Sequence, residues 1–173
     1  MPLINVLFLS YFFFILIYSA YTDIMKGKID NWITYPAIIL GILFRFIQSG
    51  PSGFLSALFG AATGFIFMFI FFAAGGIGAG DVKLMTAVGA FGGWYFLLWT
   101  LFFTAWVGFF VAIFMLLIKG KLWSGIKRTF LFLKNIFLPT GKKISLADDH
   151  AITVPFGAVI VVGAYMTFFM VGI

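Results

Sequence analysis

The sequence predicts an all-α protein, a polytopic membrane bundle of about six transmembrane helices. Of its 173 residues, 64% are apolar and only 9% are charged, whereas about a quarter of the residues in a soluble domain are charged. Four long stretches carry no charge at all: residues 1–22, 46–80, 84–118 and 151–173. Because a membrane-spanning helix needs about 20 mostly apolar residues, each stretch can supply at least one. None has the polar face that a helix of a soluble protein needs, so a soluble fold is excluded.

The first charge-free stretch could be mistaken for a secretory signal peptide. However, it has no Lys or Arg near its start, and its apolar run is longer than the hydrophobic region of a signal peptide. We therefore expect it to be a helix that is retained in the protein.

Turn signals divide the remaining chain into helices. The Ser-Gly-Pro-Ser-Gly cluster at 49–53 and the glycine-rich run at 75–80 each end a helix, whereas Pro36 is tolerated in the first turns of one. Helix four meets Gly92 and Gly93 after about 11 residues, so it is either short or continues through them. The predicted helices cover residues 3–21, 32–47, 54–74, 81 onward, 94–118 and 152–172.

The segment between helices five and six is basic and amphipathic. Residues 119–151 hold seven of the eleven Lys and Arg residues, and apolar residues recur among them at spacings of three and four. This pattern predicts a basic amphipathic helix in the membrane interface, and a solvated loop is the alternative. The apolar positions are Leu122, Ile126, Phe130, Leu133 and Phe137.

The net charge of +6 would suggest nucleic-acid binding in a soluble protein. Here the basic residues flank membrane spans, so they indicate topology and contact with anionic lipid headgroups. We therefore expect lipid and no nucleic acid among the partners.

The distribution of basic residues also predicts the orientation of the chain. With six spans, the loops after helices one, three and five share one side and hold ten basic residues, whereas Arg45 alone lies on the other side. Because basic loops tend to stay in the cytoplasm, both termini should face outward. Asp23, Asp30 and Asp81 should then lie at the cytoplasmic face. We expect residues 1–173 to form one domain.

All five acidic residues are aspartates, and two of them lie at ends of predicted membrane helices. Asp23 closes helix one and Asp81 opens helix four, at the same predicted depth. Two neighbouring carboxyl groups do not both ionise readily, so one keeps a proton, and such a pair supplies a base and an acid. Alternatively, Asp81 is only a helix cap and Asp23 an ordinary boundary residue. The glycines before Asp81 would let an extended substrate approach it.

Other hydrolytic chemistries lack the residues that they need. One histidine and no glutamate or cysteine leave no metal-ligand set and no thiol nucleophile, so no metal or other cofactor is expected. The segment around Ser52 loosely resembles the serine motif of rhomboid peptidases, but the predicted topology places Ser52 and His150 on opposite sides. The glycine run is no nucleotide-binding loop, because no strand precedes it.

Three segments resemble motifs of the type IV prepilin peptidase family. Gly-Ala-Gly-Asp at 78–81, followed by Val-Lys-Leu-Met, resembles its GxGD motif. Asp23 and the segment Ile-Asp-Asn-Trp-Ile-Thr-Tyr-Pro at 29–36 resemble its first-aspartate segment, and Val-Pro-Phe-Gly at 154–157 resembles its third motif. Presenilin-like peptidases share GxGD, but the three motifs in this order, each at a helix boundary, are more specific.

The resemblance implies an aspartic endopeptidase that removes the leader of prepilin-like or archaeal preflagellin-like proteins at the cytoplasmic face of the cell membrane. By motif match, Asp23 and Asp81 would be the catalytic pair. The same segments would supply the residues that bind the substrate: Gly78, Gly80, Lys83, Asn31 and Pro155.

The chain departs from the family pattern in three respects. Asp30 and Ala158 stand where the family usually has proline, and neither is expected to touch the aspartate pair. The large N-terminal region with paired cysteines of the bifunctional members is absent. We therefore expect a short, peptidase-only member without N-methyltransferase activity.

Two other classes of protein compete with the peptidase interpretation. A small transporter could use Asp23 and Asp81 to relay ions or protons, although transporter sites usually lie near the midplane of the membrane rather than at one face. A scaffold protein without enzymatic activity could use the same aspartates merely to cap helices.

The predicted topology can be tested by cysteine labelling, because the chain has no cysteine of its own. Lys26→Cys and Lys142→Cys should react with an impermeant maleimide only after the membrane is permeabilised, whereas Ser49→Cys should react from outside. The reverse pattern would place the aspartates at the wrong face and contradict the peptidase interpretation.

Overall fold

A computed structural model describes residues 2–118 and 155–171 of the chain. Over these two ranges the chain forms four helices: α1 (Pro2–Lys26), α2 (Asn31–Ala73), α3 (Ala79–Ile118) and α4 (Phe156–Val171). The predicted all-α fold is thereby confirmed. The predicted amphipathic segment and His150 lie outside the described residues.

The described helices have the length and surface of membrane helices. Three are long and apolar enough to cross a bilayer, and they cover Asn5–Lys26, Asn31–Ala73 and Ala79–Ile118. Their outward faces carry large apolar side chains, such as Phe59 and Phe109, which are 64% and 60% exposed. Because soluble proteins rarely expose extended apolar surfaces, we conclude that the chain is a membrane protein.

Helix α2 folds back on itself in the middle. A straight helix of 43 residues would extend about 65 Å, about twice the thickness of the bilayer's hydrocarbon core. The backbone leaves helical geometry at Ser49 and at Gly50, whose φ of 60° is accessible to glycine without steric cost. Gly41 before this break and Gly60 after it both pack against residues 89–91 of α3. The two arms of α2 therefore lie side by side.

Helix α3 is interrupted in the same manner at Gly93, where φ is 77°. A Cβ atom placed on Gly64 would lie 2.9 Å from the carbonyl oxygen of Met85 and 3.3 Å from Cδ1 of Leu97. Residues on both sides of the interruption therefore approach the same turn of α2. Predicted helix four is thus the short arm of α3 that precedes Gly93.

The prediction of six separate helices is not confirmed by the described residues. They form four helices, of which α2 and α3 each consist of two helical arms joined at a kink, at Ser49 and Gly50 in α2 and at Gly93 in α3. The number of bilayer crossings stays a prediction.

Helix α4 runs antiparallel to the second arm of α3. The hydroxyl of Thr100 donates to that of Thr167 over 3.2 Å, and a Cβ atom on Gly108 would lie 3.4 Å from Cγ1 of Val159. The later residue of α3 in these two contacts, Gly108, meets the earlier residue of α4, Val159. The start of α4 therefore lies beside the later part of α3.

Arg45 holds the two breaks together at one end of the bundle. Its Nε donates to the carbonyl oxygen of Phe91 over 2.9 Å, and its Nη2 donates to that of Gly92. These carbonyl groups precede the break at Gly93, so they have lost the partners that a continuous helix would supply. A cation is also favoured at the carbonyl end of a helix by the helix dipole.

The packing of α2 on α3 depends on glycine. A Cβ atom on Gly89 would collide with the backbone carbonyl of Gly60, and a Cβ atom on Gly60 would collide with that of Gly89. Small residues allow such close backbone contact between membrane helices, which gains van der Waals energy.

Gly89→Ala should therefore lower the midpoint of thermal unfolding in detergent by several degrees, because overpacking costs about 1–3 kcal/mol. The matched control is Gly108→Ala, where the new Cβ would meet its nearest neighbour at 3.4 Å, an ordinary contact. That change should leave the midpoint unchanged or raise it slightly, because alanine is the better helix former. Equal midpoints for the two variants would contradict the close crossing.

Candidate active site

Asp23 lies in the last turn of α1 and is directed at the start of α4. Helix α1 ends where Gly27 adopts a φ of 61° and donates its N–H to the carbonyl oxygen of Asp23 over 2.9 Å, in a common C-terminal cap. The half-buried carboxylate of Asp23 accepts the N–H of Ala158 at 3.3 Å. Because Ala158 lies in the first turn of α4, its N–H has no partner within the helix. The helix dipole also favours a negative charge there.

This contact shows that one expectation from the sequence is wrong. Ala158 was expected not to touch the aspartate pair, yet its N–H binds Oδ2 of Asp23. Proline, the residue that the resembled family usually has at this position, would have no N–H to donate. The departure from the family pattern therefore adds a hydrogen bond to Asp23.

Asp81 lies in the first turn of α3 and is only 7% exposed. Its Oδ2 accepts the N–H of Gly78 at 3.0 Å, and its own N–H donates to the carbonyl oxygen of Gly78 over 3.2 Å. An acidic third residue that reaches back to the residue before the helix is one half of a capping box. Asp81 therefore has the helix-capping role that was the alternative to a catalytic role. The cap uses its Oδ2 atom.

Ile29 connects the surroundings of the two aspartates. A Cβ atom on Gly80, the residue before Asp81, would lie 3.0 Å from Cβ of Ile29. A Cβ atom on Gly157 would lie 2.7 Å from Cδ1 of Ile29 and 2.9 Å from Oδ2 of Asp23. The ends of α1, α3 and α4 that carry these residues therefore meet around one buried side chain, and both aspartates lie at this end of the bundle.

The glycines before Asp81 make contacts within the protein. A Cβ atom on Gly78 would lie 3.4 Å from Oδ2 of Asp81, and the space beside Gly80 is occupied by Ile29. An open path for substrate at Gly80 was expected, and the structure fills that position with a side chain of the same chain.

The other candidate substrate-binding residues lie at helix starts. Lys83 donates a hydrogen bond from Nζ to Oδ1 of Asn31 over 2.8 Å, and its ammonium group lies 4.9 Å from the centre of the Tyr35 ring. These contacts join the start of α2 to the start of α3. Pro155 precedes α4, and its carbonyl oxygen accepts the N–H of Val159 at 3.4 Å. Contact between these residues and a substrate stays a prediction.

Asp30 is engaged in structural contacts away from the aspartate pair. Its Oδ2 accepts the hydroxyl proton of Tyr18 at 3.3 Å and lies 3.9 Å from the ammonium nitrogen of Lys26. Both partners belong to α1, so Asp30 fixes the turn that carries Ile29 against the helix that carries Asp23.

Sequence reasoning did not identify Ile29, Gly157 or the N–H of Ala158 as parts of the site. Ile29 and Gly157 lie in segments that carry the family resemblance and Ala158 directly follows one of them, but their partners are distant in the sequence. The one local signal was an apolar residue in a short polar segment, Ile29, which the structure shows to be buried.

The arrangement is suited to acid–base chemistry. Two carboxyl groups lie at the same end of the bundle, one buried and one half-buried, and each has one oxygen fixed by a backbone N–H. Groups of this kind can share a proton and act together on a water molecule. Within residues 2–118 and 155–171, no three His, Cys, Asp or Glu side chains cluster as metal ligands would.

Comparison with known proteins identifies the family of the chain. The model of the type IV leader peptidase family matches residues 10–115, a range that contains Asp23 and Asp81. The chain is 36% identical over 105 residues to the prepilin leader peptidase/N-methyltransferase of Myxococcus xanthus (strain DK1622), which covers 54% of this chain and 31% of that protein. The chain thus spans about a third of the length of this curated relative, and no solved structure matches it. The chain belongs to the type IV leader peptidase family.

Proposed function

We propose that the protein is an aspartic endopeptidase that removes the leader from prepilin-like proteins at the cytoplasmic face of the cell membrane. The observation that carries the proposal is the meeting of α1, α3 and α4 around Ile29, which brings Asp23 and Asp81 to one end of the bundle. The name of the Myxococcus relative supports prepilin-like proteins as substrates.

The proposed reaction needs only the two carboxyl groups and water. One carboxylate takes a proton from a water molecule, whose oxygen attacks the carbonyl carbon of the scissile peptide bond. The other carboxyl group, which holds the shared proton, donates it to the departing nitrogen as the carbon–nitrogen bond breaks. The hydrogen bonds from Gly78 and Ala158 hold both groups in place, which reduces the entropy that is lost on reaching the reactive geometry.

The proposed orientation rests on the positions of the basic residues. Lys26, Lys28 and Lys83 lie at or beside the helix ends that carry the aspartates. Arg45 lies at the two breaks in α2 and α3, away from that end. Because lysines concentrate on the cytoplasmic side, the aspartate end faces the cytoplasm, where these lysines contact anionic headgroups.

The transporter alternative receives no support from the described geometry. Transporter sites usually lie near the midplane, between broken helices. Here the break at Gly93 lies 12 residues along α3 from Asp81, about 18 Å, and the break at Gly50 lies at the same end of the bundle as Gly93.

Replacing either aspartate by asparagine should separate catalysis from helix capping. Asparagine keeps an oxygen that accepts the N–H of Gly78 or Ala158, so Asp81→Asn and Asp23→Asn should fold. The amide of asparagine, however, can neither take a proton from water nor donate one to the departing nitrogen. Each should lower the rate of cleavage of a labelled prepilin peptide by about 1,000-fold or more, and the double variant should be scarcely worse.

The matched control for this experiment is Asp30→Asn. Asp30 lies at the same end, and asparagine there keeps an oxygen that accepts the Tyr18 hydroxyl and so holds the turn in place, so this variant should keep most of its activity. Full activity in either Asp23→Asn or Asp81→Asn, with unfolding midpoints like that of the unsubstituted chain, would refute the mechanism.

Lys83 and Asn31 are proposed to contact the substrate, because they lie at the helix starts beside Asp81 and Asn31 is exposed. Lys83→Gln should raise KM several-fold and leave kcat within about twofold, as expected when an interaction common to ground state and transition state is lost. Kinetics on the same peptide measure both constants. A fall in kcat with unchanged KM would instead assign Lys83 to the chemical step.

A further inference from the structure

We propose that Ile29 is a positioning residue whose side chain sets the separation of Asp23 and Asp81. This inference rests on the proposed function and adds to it a residue that carries no reactive group. The structure points to Ile29 because its side chain packs against Gly80, the residue before Asp81, and against Gly157, which lies beside the carboxylate of Asp23.

The turn that carries Ile29 is fixed at both ends. Gly27 caps α1 through its hydrogen bond to Asp23, and Asp30 is bound to Tyr18 and Lys26. Between them, Ile29 is only 8% exposed, although its neighbour Lys28 faces outward. The side chain is therefore inserted into the bundle by a turn that has little freedom to move.

Two glycines receive the Ile29 side chain. On the Gly80 side, an added Cβ atom would lie 3.0 Å from Ile29 Cβ and 3.3 Å from its backbone nitrogen. On the Gly157 side, it would lie 2.7 Å from Ile29 Cδ1. The branched Cβ of Ile29 thus faces Gly80, which precedes Asp81. The far end of its side chain faces Gly157, and the next residue, Ala158, donates its N–H to the Asp23 carboxylate.

The length of this side chain therefore determines how closely the start of α3 approaches the start of α4. A shorter side chain leaves a gap, which the helix ends fill by shifting. Catalysis by two groups on one water molecule is sensitive to such shifts, since a displacement of about 1 Å can cost about 100-fold in rate. A residue with only a packing role would lower stability without changing the rate per folded molecule.

Kinetics on the full chain with a labelled prepilin peptide test this role. Ile29→Ala should lower kcat by about 100-fold and leave KM within about twofold. Ile29→Val keeps the branch at Gly80 and loses only the methyl group at Gly157, so it should show a smaller loss and fold even if the alanine variant does not. The matched control is Ile15→Ala, a buried position about 12 Å along α1 from Asp23, which should lose stability but keep kcat within about twofold.

A pair of complementary changes tests the contact itself. Gly157→Ala should lower kcat, because the added methyl group collides with Ile29 Cδ1 and lies close to Asp23. Adding Ile29→Val removes the colliding methyl group, so the double variant should be more active than Gly157→Ala alone. A double variant that is no more active would overturn the proposed contact.

A distance measurement keeps this inference separate from the peptidase proposal. Spin labels on Met25→Cys and Ala79→Cys, which are exposed positions two residues from each aspartate, report the separation of the helix ends without requiring activity. Ile29→Ala should shift or broaden the distance distribution, and Ile15→Ala should leave it unchanged.

Each outcome decides a different claim. An unchanged distance distribution, or unchanged kcat in Ile29→Ala, would overturn the role of Ile29 and leave the aspartate pair intact. An active Asp81→Asn variant would refute the peptidase mechanism, while the distance measurement would still decide whether Ile29 sets the separation.

Discussion

The hydrogen bond between the Asp23 carboxylate and the first turn of α4 is the interaction on which the site depends. A helix start in an apolar bundle presents N–H groups without partners, and a carboxylate removed from water is costly unless it is hydrogen-bonded. The bond between Ala158 and Asp23 satisfies both requirements at once. It also ties α1 to a helix that begins more than a hundred residues later in the sequence, so the last described helix becomes part of the site.

The two ends of the bundle use helix dipoles in opposite senses. At one end, Asp23 and Asp81 accept N–H groups at the starts of α4 and α3. At the breaks, the guanidinium group of Arg45 donates to carbonyl groups that α3 leaves free before Gly93. Anions at helix starts and a cation at a helix end are both favoured. Asp23, Asp81 and Arg45 therefore satisfy backbone groups that the helix ends leave without partners.

Much of the fold could be predicted from the sequence because its signals are local. The charge-free stretches indicated membrane helices, and the turn residues at 49–53 marked the break in α2. The sequence did not show whether helix four ends at Gly92 and Gly93 or continues through them, because that depends on the φ angle of a single glycine, Gly93. The aspartate pair was found from its positions at helix ends and from the motifs, whereas the roles of Ile29 and Gly157 depend on contacts with segments distant in the sequence, and local patterns do not identify those partners.

If Asp23 and Asp81 act as one chemical unit, a reactive epoxide should modify one of them with the help of the proton that they share. A carboxylate opens an epoxide efficiently when a neighbouring acid protonates the oxygen that is released, so the reaction requires both members of a proton-sharing pair. Mass spectrometry of the labelled full chain should place the modification on Asp23 or Asp81 and leave Asp30 unmodified. Asparagine at either position should abolish labelling at the other. Undiminished labelling of Asp81 in Asp23→Asn, or of Asp23 in Asp81→Asn, would show that the two aspartates do not act as one unit.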